Sequence, residues 1–288
     1  MLYLRSFRFP DREAEVGYEI SLRRTCYASH YPFGVLGERF SGALDLEPLT
    51  ILSGDNGCGK STAIHVMAEK LAVQHTSLYN RSALFEDYLS LCEADVSPAL
   101  PRESRVITSD DVFDFVLNLR AMNEGLESRR EVLFQEWVNA RHETSRMRSL
   151  EDYERVRRTV DARRHTQSAY VRNQMHADIR EHSNGESSLL YFEEKLREPA
   201  LYFLDEPENS LSPRHQKELA QQVEESIRFF GCQVVMATHS PFFLSLRGAR
   251  IYDMDRQPAQ PCRWQELGSV RTYFDFFRVH WSALEEKT

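Results

Sequence analysis

The chain has 288 residues, 41% of them hydrophobic and 28% charged, with a formal net charge of −8, a balance ordinary for a water-soluble globular protein of one large domain or two smaller ones. The negative total excludes overall attraction to nucleic acid. No apolar run approaches the ~18 residues a membrane span needs, and the opening Met1-Leu2-Tyr3-Leu4-Arg5-Ser6 carries no secretory cleavage pattern, so a cytoplasmic protein without membrane insertion is expected.

Residues 1–50 are expected to form an antiparallel β subdomain, with strands over 2–9 and 18–24, followed by the loop Tyr31-Pro32-Phe33-Gly34. The β-prone run Leu49-Thr50-Ile51-Leu52 then leads into Gly54-Asp55-Asn56-Gly57-Cys58-Gly59-Lys60-Ser61-Thr62, and an amphipathic stretch with Ala63, Ile64, Met67, Ala68 and Leu71 follows. Strand, glycine-rich turn and helix together read as a phosphate-binding loop. Glycines let successive N–H groups turn inward around phosphate oxygens, and the helix adds its positive end. Lys60 is expected on the β- and γ-phosphates and the Ser61 hydroxyl on Mg²⁺. Cys26, Cys58, Cys92, Cys232 and Cys262 are widely spaced with no C-x-x-C pair and read as reduced thiols. Cys58, inside the loop, is either a small residue at a permissive position or a place where oxidation would block nucleotide.

A helical insertion is expected from about residue 77 to 181, entered by the short strand and helix cap Arg105-Val106-Ile107-Thr108-Ser109-Asp110-Asp111. Residues 112–170 leave room for two short helices, each at most ~45 Å long. Ten arginines against six acids lie between residues 141 and 180. That stretch could grip the phosphates of DNA or RNA. The alternative, which the acidic whole favours, is a salt-bridged helical face or a surface that docks a protein effector.

Next come the polar turn His182-Ser183-Asn184-Gly185-Glu186-Ser187, a helix over 188–198, and the buried run Leu201-Tyr202-Phe203-Leu204 ending in Asp205-Glu206-Pro207-Glu208. Carboxylates at the C-terminal end of a parallel strand fall at the ligand edge of an open α/β sheet. Asp205 there is expected to hold Mg²⁺ and Glu206 to take a proton from the attacking water. Ser212 as N-cap, Pro213 at the first helical position and Gly231 past the end mark a helix. The apolar run Val234-Val235-Met236-Ala237 then delivers His239, 33 residues after Glu206. A final strand over 250–254 precedes a helix whose Val270, Tyr273, Phe274 and Phe277 are expected to close the core.

Taken in this order, from roughly residue 44 to 254, the motifs resemble those of ATP-binding-cassette ATPases, in the serine-x-glycine-glutamate form of the SMC, RecF and OLD group. The resemblance implies an α/β P-loop NTPase with a mostly parallel central sheet, an antiparallel β subdomain and a compact helical insertion. It divides the chain into 1–76 (β subdomain and phosphate loop), 77–186 (helical lobe ending in the signature) and 187–288 (catalytic core and C-terminal helix). It implies ATP and Mg²⁺ as ligands, Gly54 to Thr62 around the nucleotide, Ser61 and Asp205 on the metal, Glu206 as base and His239 as switch on the γ-phosphate. Ser183 and Gly185 would act in trans across an ATP-bound homodimer, and Tyr31 or Phe33 would be candidates to stack on adenine. The implied function is an ATP-driven dimerisation switch in DNA maintenance or phage defence. The alternatives are a regulatory subunit of a partner effector enzyme and the nucleotide-binding subunit of a transporter, against which Glu186 stands where transporters carry glutamine. One departure concerns the glutamine that the family carries at a strand end between loop and signature. Residues 105–111 contain none, and Asp110 or Ser109 is the substitute, with Asp110 the candidate metal residue. Only 34 residues follow Met254, too few for the second catalytic domain of OLD-type relatives.

Overall fold

The computed structural model describes residues 2–22, 29–142, 184–209 and 211–285, together with residues 157, 160, 162, 164, 166, 170 and 171. Strands run in the order β1 (Leu4–Arg8), β2 (Ala43–Asp45), β3 (Leu49–Ser53), β4 (Glu93–Val96), β5 (Arg105–Thr108), β6 (Leu201–Asp205), β7 (Gln233–Ala237), β8 (Arg250–Asp253) and β9 (Gln260–Cys262). The helices whose bounds fall within the described residues are α1 (Arg12–Ser21), α2 (Lys60–Lys70), α3 (Phe85–Leu91), α4 (Ser109–His142), α5 (Asn184–Lys195), α6 (Pro213–Phe229), α7 (Pro241–Leu244), α8 (Gly268–Val279) and α9 (Trp281–Glu285).

The larger sheet has the order β5-β6-β7-β3-β8-β9. Its first five strands are mutually parallel and β9 closes the edge antiparallel. Every residue of β3 and β7 is buried, as is β6 up to Leu204, which is why these strands read as unbroken apolar runs instead of alternating ones. The smaller sheet, β2-β1-β4, is antiparallel. One apolar cluster joins Leu4, Phe7 and Phe9 beside β1, Ile64 and Met67 of α2, and Leu201, Phe203 and Val235 of the parallel sheet. Each such buried side chain stabilises the fold by about 1.5–3 kcal/mol, so α2 and the loop before it are held to both sheets. Gln233 pins the same junction: fully buried, its Oε1 accepts from the N–H groups of Tyr3 (2.7 Å) and Leu4 (2.9 Å), and its Nε2 donates to the Leu4 carbonyl (2.7 Å).

Three expectations need correction. Residues 18–21, expected as part of a strand, end helix α1 instead: the Asp11 side chain caps it by accepting from Ala14 N–H, and Glu13 and Glu15 lie in its first turn, where the helix dipole favours acids. The segment expected as a helical insertion from about residue 77 contains, after α3, the strand β4, which pairs with β1 and so belongs to the antiparallel sheet. The C-terminal aromatics do not close the core. Val270 is buried, but Tyr273, Phe274 and Phe277 are each about half exposed, because α8 contacts chiefly the 3-10 turn Trp264–Glu266 before it and α9 after it.

The chain forms two compact units, residues 1–113 with 184–288, and residues 114–183. The second has a small core of its own, Leu133, Ala140, Ala162, Tyr170 and Val171, with Phe134 and Trp137 packed on it. Helix α4 takes up 34 residues and about 51 Å, longer than the ~45 Å expected of a helix in this lobe, and residues 157, 160, 162, 164, 170 and 171 are helical as well. Of the arginines in the basic stretch, Arg141, Arg157 and Arg164 are exposed and the others lie outside the described residues. Among the described residues no helix is long and apolar enough to cross a membrane.

Candidate nucleotide site

Strand β3 ends at Ser53 and α2 begins at Lys60, leaving Gly54 to Gly59 to make the turn. Gly57 (φ 84°) and Gly59 (φ 95°) adopt the left-handed conformation that only glycine enters freely. Space is also tight at Gly59, where a Cβ would lie 3.0 Å from Leu36 and 3.2 Å from Val35. No side chain caps α2, so its first amide groups are left for an anion. Lys60 is buried and folds over the loop, its Nζ donating to the carbonyls of Gly54 (2.8 Å) and Asp55 (3.2 Å). Asp55 N–H donates to Asp255 Oδ1 (2.8 Å), a tie between residues 200 positions apart that no local pattern signals. Of the two aromatic candidates, Phe33 is core, stacked on Tyr18 and edge-on to Tyr88, whereas Tyr31 sits at the loop with its hydroxyl donating to Thr62 Oγ1 (3.2 Å). Cys58 is buried and burial pushes its thiol up, which opposes the reactive thiolate that an oxidation switch needs.

The acids arrive from the neighbouring strand order. Asp205 closes β6 in register with Ala237 of β7, and β7 neighbours β3, so the carboxylates emerge beside the phosphate loop. Ser61 Oγ donates to Asp205 Oδ1 (2.9 Å), and His65 Nε2, one turn further along α2, lies 3.7 Å from Asp205 Oδ2. Burial pushes Asp205 up to about 6 and pulls His65 down to about 4, so His65 faces Asp205 as a neutral ring. Ser61 and Asp205 converge two oxygens on one point, a donor set that suits Mg²⁺, which favours oxygen ligands.

Glu206 takes φ 47°, a left-handed conformation costing a non-glycine residue on the order of 1 kcal/mol or more. Its N–H donates to the Ala237 carbonyl (2.9 Å), and the turn aims its carboxylate at His239 Nε2, 3.3 Å away without the alignment of a hydrogen bond, and at Asn209 Nδ2 (3.0 Å). His239 and Asn209 hold the Glu206 carboxyl down at about 2, so it is ionised at neutral pH. Glu208 is the functional neighbour that sequence reasoning missed. Its Oε1 accepts from Thr238 Oγ1 (2.6 Å), His239 N–H (2.6 Å) and Ser240 N–H (3.2 Å), fixing the turn that carries His239. Ser240 Oγ in turn donates to Gln216 Oε1 (2.9 Å) on α6. The Glu208→Ala variant leaves these buried donors unpaired and is expected to lose about 2–3 kcal/mol in a urea titration, with turnover falling through misplacement of His239. Glu208→Gln, which keeps an acceptor, is expected to retain most of both.

Five side chains from three segments therefore meet at the C-terminal edge of one parallel sheet: Lys60, Ser61, Asp205, Glu206 and His239. Residues 120–245, which contain the last three, match the family described as "AAA domain, putative AbiEii toxin, Type IV TA system". That match spans less than half of the chain. The chain is 26% identical over 187 residues to "Uncharacterized ABC transporter ATP-binding protein YvrA" of Bacillus subtilis (strain 168), a stretch covering 65% of this chain and 37% of that relative's length. Among solved structures it is similar to the Smc head domain with an extended coiled coil bound to the C-terminal domain of ScpA from Pyrococcus furiosus (12% identity, 96% of this chain and 100% of that one, TM-score 0.43). It is also similar to the post-hydrolysis dimer of the ATP-binding cassette MJ0796 (15% identity, 75% and 88% covered, TM-score 0.34).

The remaining expectations for an ABC-type site fall in two places. Ser183 lies outside the described residues. Gly185, in the first turn of α5, packs so close to His215 that a Cβ would come 2.1 Å from its Nδ1, which accounts for the glycine on packing grounds within one copy. Asp110 is exposed in the first turn of α4. Its neighbour Asp111 is buried and accepts from Ser77 Oγ (2.6 Å), Thr108 N–H (2.8 Å) and Thr108 Oγ1 (2.9 Å), so it caps that helix.

Proposed function

We propose that this chain binds Mg-ATP, hydrolyses it, and uses ATP to bring two copies together head to tail as a switch. The observation that carries the reading is the convergence of Lys60, Ser61, Asp205, Glu206 and His239 on one sheet edge. Lys60 exchanges its two loop carbonyls for the β- and γ-phosphates, and the uncapped amides of α2 hold the remaining oxygens. Mg²⁺ held by Ser61 and Asp205 would neutralise charge on the phosphate oxygens. The water oxygen attacks the γ-phosphorus, its proton passes to Glu206, and the bond from that phosphorus to the departing ADP oxygen breaks. His239, fixed by Glu208, donates to the transferring phosphoryl group. Ser183 and Gly185 of a second copy complete the site, and hydrolysis releases the pair.

The motif forms favour a role in DNA maintenance or phage defence, with the exposed arginines of residues 141–164 on DNA or RNA. A second reading, regulation of a partner effector, is favoured by the acidic total, which leaves the lobe to dock protein. A transporter subunit is favoured only by the name of the Bacillus relative and opposed by Glu186. ATPase rate per chain should rise with protein concentration as dimers form, and nucleic-acid stimulation should fade between two salt concentrations. A rate per chain independent of concentration, with no dimer at saturating ATP, would remove the switch. Indifference to double-stranded DNA, single-stranded DNA and RNA would move the lobe to the protein-docking reading.

A further inference from the structure

His65 and the segment that packs on it have no part in the chemistry above, yet they connect the metal carboxylate to the cap of α4. His65 Nε2 stands 3.7 Å from Asp205 Oδ2. Its ring lies almost parallel on Tyr79 (centroids 4.9 Å apart, 9° between planes) and stacks on His75 (5.7 Å). His65 Nδ1 and Tyr79 Oη are buried without a well-aligned hydrogen bond, and Glu69 Oε1 stands 3.4 Å from His75 Nε2, so stacked ring faces beside one carboxylate hold this group together. Within residues 74–79, Gln74 is tied to β5 and Ser77 to the first turn of α4. Gln74 bridges to β5, with Val106 N–H donating to its carbonyl (2.9 Å). Ser77 Oγ donates to Asp111 Oδ1 (2.6 Å), whose other oxygen receives Thr108 N–H (2.8 Å). Thr108 in turn pairs in register with Asp205 across β5 and β6.

We propose that the stack of His65 on Tyr79 and His75 is a positioning device that couples metal occupancy at Asp205, through Ser77 and Asp111, to the first turn of α4. The inference rests on the Mg-nucleotide reading above and assigns to it a route that residues 105–111 lack a glutamine to provide. With a metal held by Ser61 and Asp205, His65 would lose Asp205 as its neighbour and its imidazole would be free to shift over Tyr79, and the Ser77–Asp111 bond would carry that shift to the cap. By linkage, whatever moves that first turn alters metal affinity by the same factor. The path is contiguous and each contact in it is replaceable one at a time.

The test uses the full chain with the fluorescent nucleotide mant-ADP, titrated with Mg²⁺, and hydrogen exchange of the amides of residues 108–112. In the native chain Mg²⁺ is expected to change that exchange several-fold. His65→Phe, which keeps the ring but loses Nε2, and Tyr79→Ala, which keeps Nε2 but loses the ring beneath it, are both expected to abolish the change. Both should raise the Mg²⁺ midpoint about tenfold, with Mg-free mant-ADP affinity within twofold of native, and Tyr79→Phe should restore the native response. If Tyr79→Ala does not fold, Ser77→Ala cuts the same path and should lose the exchange response. Native chains that bind Mg–mant-ADP without any change at residues 108–112, or a Tyr79→Ala or Ser77→Ala chain that responds like the native one, overturn the coupling alone. Failure of mant-ADP to bind at all overturns the nucleotide reading and this inference with it.

Discussion

Glu206→Gln is expected to bind ATP with near-native affinity, lose turnover by ~10²- to 10⁴-fold and accumulate as a dimer. The amide has the shape of the carboxylate and can still contact Asn209 and His239, so packing is preserved; what disappears is the ability to accept a proton from water. Single-turnover hydrolysis with light scattering at saturating ATP reads both effects, and a variant that stays monomeric there contradicts the dimerisation switch. The backbone supplies a control. Because Glu206 sits at φ 47°, glycine at this position relieves the strain, and Glu206→Gly should melt no lower than the native chain while hydrolysing as poorly as Glu206→Gln. A strained conformation kept for the sake of the carboxylate's direction is a stability–function trade-off, and the pair of variants separates its two sides.

The parts of the site legible in the sequence are those whose chemistry is written in consecutive residues. The phosphate loop needs its glycines, its lysine and its hydroxyl within one turn, and the acidic and histidine motifs end apolar runs that only a buried parallel strand explains. Ser212 and Pro213 likewise announced the start of α6, because a cap is satisfied within four residues. What was not legible depends on register between distant segments. Glu208 grips the His239 turn across 31 positions, and Asp255 reaches Asp55 across 200. The role of Asp111 becomes apparent only when Ser77 is brought to it, and Asp110 next to it is an equally plausible acid in the sequence. Helix α1 is hidden in the sequence because Tyr18-Glu19-Ile20-Ser21 alternates like a strand, while the deciding signal, the Asp11 cap, lies seven residues before Tyr18. The aromatics of α8 show the reverse error: an amphipathic pattern reports that an apolar face exists, not that this chain covers it.

Asp205→Asn should separate stability from function in the opposite direction. Burial holds Asp205 up at about 6 against an ordinary 3.8, so in the metal-free protein ionising it opposes folding. The sign follows from which state holds the proton: below pH 3.8 both states are protonated and nothing is lost, between 3.8 and about 6 the unfolded chain releases its proton first, and above 6 the folded state carries the full penalty. Two pH units correspond to about 3 kcal/mol. Asparagine keeps an Oδ1 to accept from Ser61 and bears no charge, so Asp205→Asn is expected to be more stable than the native chain by up to about 3 kcal/mol at pH 8 without metal. That advantage should vanish near pH 4. With Mg²⁺ and nucleotide the order reverses, since a ligand that binds only the folded state stabilises the native chain and meets a neutral amide in place of the carboxylate charge in the variant. The same proton competes with the metal, so Mg²⁺ affinity of the native chain should weaken as pH falls through about 6. Thermal melts of both chains at pH 4, 6 and 8, with and without Mg-ADP, read all four effects, and an Asp205→Asn chain less stable than the native one at pH 8 in metal-free buffer would refute the burial account of this carboxylate.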